Sequence, residues 1–388
     1  MVRDMPDAVQ LTGITWDHTR GLVPLIAAAQ RFSEMNPGVE IAWRKRSLQA
    51  FGDQPLQDLA PHFDLLVIDH PFVGYAAAHD LLVPLDEYLP GSFLADQAAH
   101  SVGVSHQSYA WGGHQWALAI DAATPVSAWR PDLLQRAGER LPETWEEVLD
   151  LARRGMVALP AAAIDSLMHV YMMCIALGEE PFQTADRVVS REAGVAALEC
   201  LRELVSLCDP VCLRCNPFQT YEVLAAGATL AYCPFAYGYS NYAREGYAAN
   251  LLRFGGLVTY NGRRLRSTLG GAGLAISRSC RHPEIARTYA CFVADPVTQR
   301  GLYVASGGQP GHRAAWVDTA ANALCHNYFR DTLATLDEAF LRPRYSGYAH
   351  FQDHAAPLVH AYLADGGDAL VVLEGLDRLY RESLNVER

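Results

Sequence analysis

"QLTGITWDHTRGLVPLIAAAQRFSEM", residues 10–35, decides the fold class of this chain. Gln10 to Trp16 alternate as a strand does, and from Arg20 onward apolar residues return at helical spacing: Leu22, Leu25, Ile26, Ala29 and Phe32. This is a strand running into a helix. "NPG" then breaks the helix, and "VEIAWR" (39–44) reads as a second strand. "FDLLVIDH" (63–70) reads as a third, its nearly continuous apolar run matching a strand buried on both faces. Strand, helix, strand, helix, strand predicts an α/β layer with a parallel sheet.

Further along, "AWGGHQWAL" (110–118) predicts a hairpin, and "LPETWEEVLDLARRG" (141–155) a helix opened by a capping box of Thr144 and Glu147. Helices are expected through much of 160–207. "TLAYCPF" (229–235) and the glycine-opened "STLGGAGLAIS" (267–277) read as strands, and Pro283 suits the first turn of the helix that follows. From about Ala355 the tail is helical, with a break at Gly366-Gly367.

At 388 residues the chain is long enough for two lobes. Half of it is hydrophobic and 19% is charged, a globular composition. The net charge of −12 argues against nucleic acid or a membrane surface as partner, since either needs a basic face. No stretch is long and apolar enough to span a bilayer, so no direct membrane insertion is expected. The opening "MVRDMPDAVQLTG" has two acids, a proline and no apolar run, and does not read as a signal peptide. Nine scattered cysteines fit a reducing compartment better than an oxidising one. Either the chain is cytoplasmic, or a leader was removed and a start Met added; the cysteine count favours the cytoplasm.

Several segments, in order, resemble the extracellular solute-binding proteins of carbohydrate-type ABC importers. They are "RFSEMNPGVEI" (31–41), "LVPLDEYL" (82–89), "LPETWEEVLDLA" (141–152), "GGAGLAISRSCRHPEIARTYACFVADPVTQ" (270–299), "GGQPGHRAAWVD" (307–318) and "PRYSGYAHFQDHAAPLVHAYL" (343–363). The resemblance implies a two-lobed periplasmic-binding-protein-like α/β fold of type II, with the ligand in a cleft between lobes that close by a hinge. By analogy the first lobe is 1–118 plus 263–315, and the second 119–262 plus 316–388. The family also implies export, a monomer, one small polar solute and an ABC permease as partner. The missing leader and the cysteine count depart from that pattern.

Ligands of open α/β sheets sit beyond the carboxyl ends of strands. On the resemblance, "WDHTRG", "IDHP", "IDAAT" with Asp121, "PFAYGYS" and "LGGAG" surround the cleft. Trp16 could stack on a sugar face, and Asp17, His18 and Arg20 supply an acceptor, a switchable donor and a cation. The plainer reading has Asp17 or Thr19 capping the helix. Asp69 and His70 could bind a hydroxyl pair or do acid/base work, or the carboxylate could hold nearby amides. Tyr237 and Tyr239, with Tyr242, suit a polyhydroxylated ligand. Gly271, between Gly270 and Gly273, allows close backbone approach. Because a strand follows these glycines, a nucleotide-binding loop is not expected.

"CDPVCLRC" places Cys208, Cys212 and Cys215 near one another, with Cys233 a conceivable fourth thiolate. The second ligand pair of a structural zinc site is missing, so no metal and no cofactor is expected. "RRLR" (263–266) reads as a solvated loop, in which Arg263 or Arg266 could favour an acidic ligand. Two main functions stand. The first is a solute-binding protein for a saccharide, sugar acid or hydroxy acid. The second is a cytoplasmic lyase, hydrolase or isomerase on the same scaffold, with His18, Asp69 and His70 as acid/base groups and Cys233 as nucleophile. A cytoplasmic ligand sensor would share the cleft without chemistry or permease.

Overall fold

The computed structural model describes residues 9–385, so the first eight residues of the stretch read for a signal peptide lie outside the described residues. Eight strands carry the two principal sheets: β1 (Val9–Trp16), β2 (Val39–Arg46), β3 (Leu65–Ile68), β4 (Leu118–Ala123), β5 (Pro125–Trp129), β6 (Tyr232–Tyr237), β7 (Arg253–Gly255) and β8 (Gly270–Ile276). The chain divides into two compact units. Among the described residues, unit 1 is 9–122, 270–324 and 344–346, and unit 2 is 123–269, 325–343 and 347–385.

Unit 1 is built on a five-stranded sheet in the order β2-β1-β3-β8-β4. The stretch at 10–35 supplies its centre, with β1 pairing in parallel with both β2 and β3. β8 runs antiparallel to β3, with Gly273 opposite Ile68, so the sheet is mixed rather than wholly parallel as its sequence suggested. The difference arises because β8 enters after a long excursion of the chain and needs no helical crossover to reach β3. All four residues of β3 are buried, which accounts for its unbroken apolar run. The helix Thr19–Met35 packs Leu25, Ala28, Ala29 and Phe32 into the core beside Tyr289 and Val293.

Unit 2 has a three-stranded antiparallel sheet, β6-β5-β7. Trp145 stacks parallel to Phe235 of β6 at 6.3 Å. The capping box is present: Thr144 accepts from Glu147 N–H, and the Glu147 carboxylate accepts from Thr144 N–H. Helices Ala163–Ala176, Arg191–Leu207, Tyr348–Asp365 and Ala369–Ser383 pack together. Phe182 contacts the rings of Tyr171, Tyr348, Phe351 and Tyr380. Among the described residues no helix is long and apolar enough to cross a membrane.

Candidate functional site

Three parallel strands of unit 1 end on one edge of the sheet. Trp16, which closes β1, lies in register with Arg46, which closes β2, and β3 leads into Asp69 and His70. β8 starts at the same edge, where Gly271 has φ +111° and no room for a side chain against the Asp121 carbonyl. Trp16, Asp17, His18, Arg20, Asp69, His70, Asp121 and Gly271 are therefore neighbours on one unit. Tyr237, Tyr239 and Cys233 belong to the other.

The turn at 17–20 is held by its own side chains. His18, and neither Asp17 nor Thr19, is the cap of the helix Thr19–Met35: its Nδ1 accepts the backbone N–H of Arg20 at 3.0 Å. An imidazole reaches that amide because His18 is extended, with φ −156° and ψ 153°. Burial, then the charge of Arg20, lowers the His18 pKa to about 3. The ring is neutral at ordinary pH, and with Nδ1 accepting, its proton sits on Nε2. The switchable donor expected from the sequence is thus a fixed donor. Asp17 is exposed and pairs with Lys45 at 3.0 Å.

Several of the expected ligand contacts turn inward instead. Trp16 is 3% exposed and packs on Phe51 at 5.1 Å, with the Arg20 guanidinium 5.8 Å from its ring centroid. A large flat ring at the end of a central strand gains more from the core than from water, so it packs instead of offering a sugar platform. Arg20 is spent on Asp121: Nε donates to Oδ2 at 2.8 Å, and Nη2 closes a second bond to Oδ1. Burial pushes the Asp121 carboxyl up while the guanidinium opposes that shift. His70 is 0% exposed and meets the ring of Tyr109 edge-on, with Nδ1 3.2 Å from Asp69. Asp69 remains half-buried and accepts the His70 N–H at 2.9 Å, a local structural bond of the kind its plainer reading expected.

On unit 2, Tyr237 is half-buried and its hydroxyl bonds Thr268 at 2.9 Å. Tyr239 is buried, 6.3 Å from both Phe218 and Tyr221, and Tyr242 is buried against Tyr221. Cys233 is 0% exposed and burial pushes its thiol up, the reverse of what a nucleophile needs. Arg266 is engaged by Glu180 and the Glu338 carbonyl, while Arg263 lies on an exposed two-residue strand.

Sequence reasoning missed Arg46, which lies two residues beyond the strand read at 39–44 and closes the observed β2. It is 8% exposed, donates to the carbonyls of Ala50 and Val67 and faces Phe51 at 5.4 Å. Burial lowers its pKa to about 10. Nothing local marks an arginine at a strand end as inward-facing; only the register with Trp16 does. Among the described residues one group of side chains could hold a metal ion, Asp96, His100 and His312.

The family model for bacterial extracellular solute-binding proteins matches residues 27–316. The chain belongs to that family. Solved structures agree on the fold. The maltose-bound MalE3 of T. maritima is 18% identical, with 97% of this chain and 100% of that one covered and a TM-score of 0.82. An ABC transporter solute-binding protein from Agrobacterium radiobacter, in complex with ribitol, is 19% identical over 97% and 99%, with a TM-score of 0.81. The maltotriose-binding protein of Thermus thermophilus is 15% identical over 97% and 100%, with a TM-score of 0.77. The solute-binding protein described here therefore has the two-lobed periplasmic-binding-protein fold.

Proposed function

We propose that this solute-binding protein takes a neutral polyhydroxylated solute, a saccharide or polyol, and delivers it to an ABC permease. The observation that carries the reading is the His18 turn, an Nε2–H donor beside the Asp17 carboxylate, on the sheet edge where β3 leads into Asp69. Donors and acceptors side by side suit hydroxyl groups, each of which gives one hydrogen bond and accepts others. The cations at that edge are committed, Arg20 to Asp121, Lys45 to Asp17 and Arg46 to two carbonyls, which disfavours a sugar acid. The similar structures hold maltose, ribitol, D-mannitol and maltotriose, all uncharged.

The test is isothermal titration calorimetry with a panel of neutral saccharides, polyols and the corresponding uronic acids. Saturable binding of one neutral compound, weakened by His18→Ala and by Asp69→Asn, supports the reading. Selective binding of a uronate contradicts it.

A further inference from the structure

Two segments of unit 1, far apart in sequence, bring two imidazoles and a carboxylate together. Asp96 lies in the helix Gly91–Ala99, and His100 follows that helix directly, one turn on and on the same face. His312 comes from a segment pinned alongside. Arg313 N–H donates to the His100 carbonyl at 2.7 Å, Val102 N–H donates to Gly311 at 3.3 Å, and Ser101 and His312 form an antiparallel bridge. Gly311 leaves no room for a side chain against the Ala119 backbone, so this segment is held closely. The two rings stack with centroids 5.4 Å apart, inclined by 27°. Asp96 stands between them, Oδ1 2.8 Å from His100 Nδ1 and Oδ2 3.3 Å from His312 Nε2. The ligating atoms of all three residues lie within 4.8 Å of one another.

We propose that Asp96, His100 and His312 bind a divalent transition-metal ion of the zinc type. Two imidazoles and one carboxylate suit zinc, nickel or copper, whereas calcium and magnesium favour sites built of oxygen alone. Three protein ligands leave a fourth position for water, the arrangement of an open, exchangeable site. His312 is buried and oriented by backbone bonds, while Asp96 and His100 are exposed enough to admit the ion. Asp295 adds negative charge near His312. His312 Nδ1 now accepts the Ala314 N–H at 3.2 Å. Coordination through Nε2 moves the ring proton to Nδ1 and releases that long bond, which keeps the affinity moderate.

The experiment is calorimetric titration of the chelator-treated full chain with zinc ion. The expected result is one ion per chain, with His100→Ala and Asp96→Asn each weakening binding roughly tenfold or more. At a zinc concentration near the parent's dissociation constant, zinc should also raise the unfolding temperature of the unaltered chain more than that of either variant. His312 is left unaltered because its ring also caps a helix. Absence of binding overturns the proposal. So does binding that survives both substitutions and is lost on replacing His350 and His354, an exposed pair one turn apart with rings 4.1 Å from each other.

Discussion

Arg20 Nε donates to Asp121 Oδ2 at 2.8 Å, joining the first turn of the helix Thr19–Met35 to β4 through a two-bond ion pair with almost no exposed surface. Removing one charge from such a pair leaves the other buried alone. Asp121→Ala should cost about 3–5 kcal/mol of unfolding free energy, measured by urea denaturation. The double change Arg20→Met with Asp121→Leu should recover most of that loss. If the single and double variants lose the same stability, the pair is not what holds this corner.

His18 gives the protein an acid limb. Its pKa is lowered to about 3 from an ordinary 6.5. Above about pH 6.5 the ring is neutral in both folded and unfolded chains and contributes no pH dependence. As pH falls from there towards 3, the unfolded imidazole takes a proton that the folded one refuses, so stability is progressively lost. His18→Asn keeps a capping side chain and should stay within about 1 kcal/mol of the parent at pH 7. Unfolding temperatures measured from pH 4 to 7 should fall less steeply for this variant.

Asp165 acts in the opposite direction. It is buried on the helix Ala163–Ala176, its Oδ2 has no hydrogen-bond partner among the described residues, and burial raises its pKa to about 8. The folded carboxyl stays protonated while the unfolded one ionises, so stability falls as pH rises from about 4 to 8. Asp165→Asn should match the parent near pH 4 and exceed it by a few kcal/mol at pH 8. Equal stability at both pH values would show that Asp165 is not buried in this way.

Gly271 combines φ +111° with close approach to the Asp121 carbonyl. Gly271→Ala should destabilise by about 2 kcal/mol or more, because the new methyl group meets backbone that cannot swing aside. Chemical denaturation of the variant checks this directly.

The fold was legible wherever one pattern had one meaning. The alternation of 10–16, the helical spacing of 22–32 and the apolar run of 65–68 became β1, the first long helix and β3 because burial imposes those periods. The direction of β8 was not legible, since an apolar strand reads alike in either direction. The site was less readable. The sequence and the family resemblance put Trp16, Arg20, Asp121 and His70 around one cleft but could not show which side chains fold back into the unit. That depends on partners such as Phe51 and Tyr109, which are distant in sequence. Asp96 and His100 carry a local spacing signal, but His312 lies 212 positions beyond His100, and only the backbone ladder brings it close.

The most direct measurement is a one-dimensional NMR time course of the purified chain with a mixture of neutral saccharides, polyols, sugar acids and small carboxylic acids. The expected result is that the signals of one neutral polyhydroxylated compound broaden, that His18→Ala restores their sharpness, and that the spectrum is unchanged after hours. Disappearance of a compound as new signals grow would contradict a binding role, and broadening confined to the acids would contradict the neutral solute.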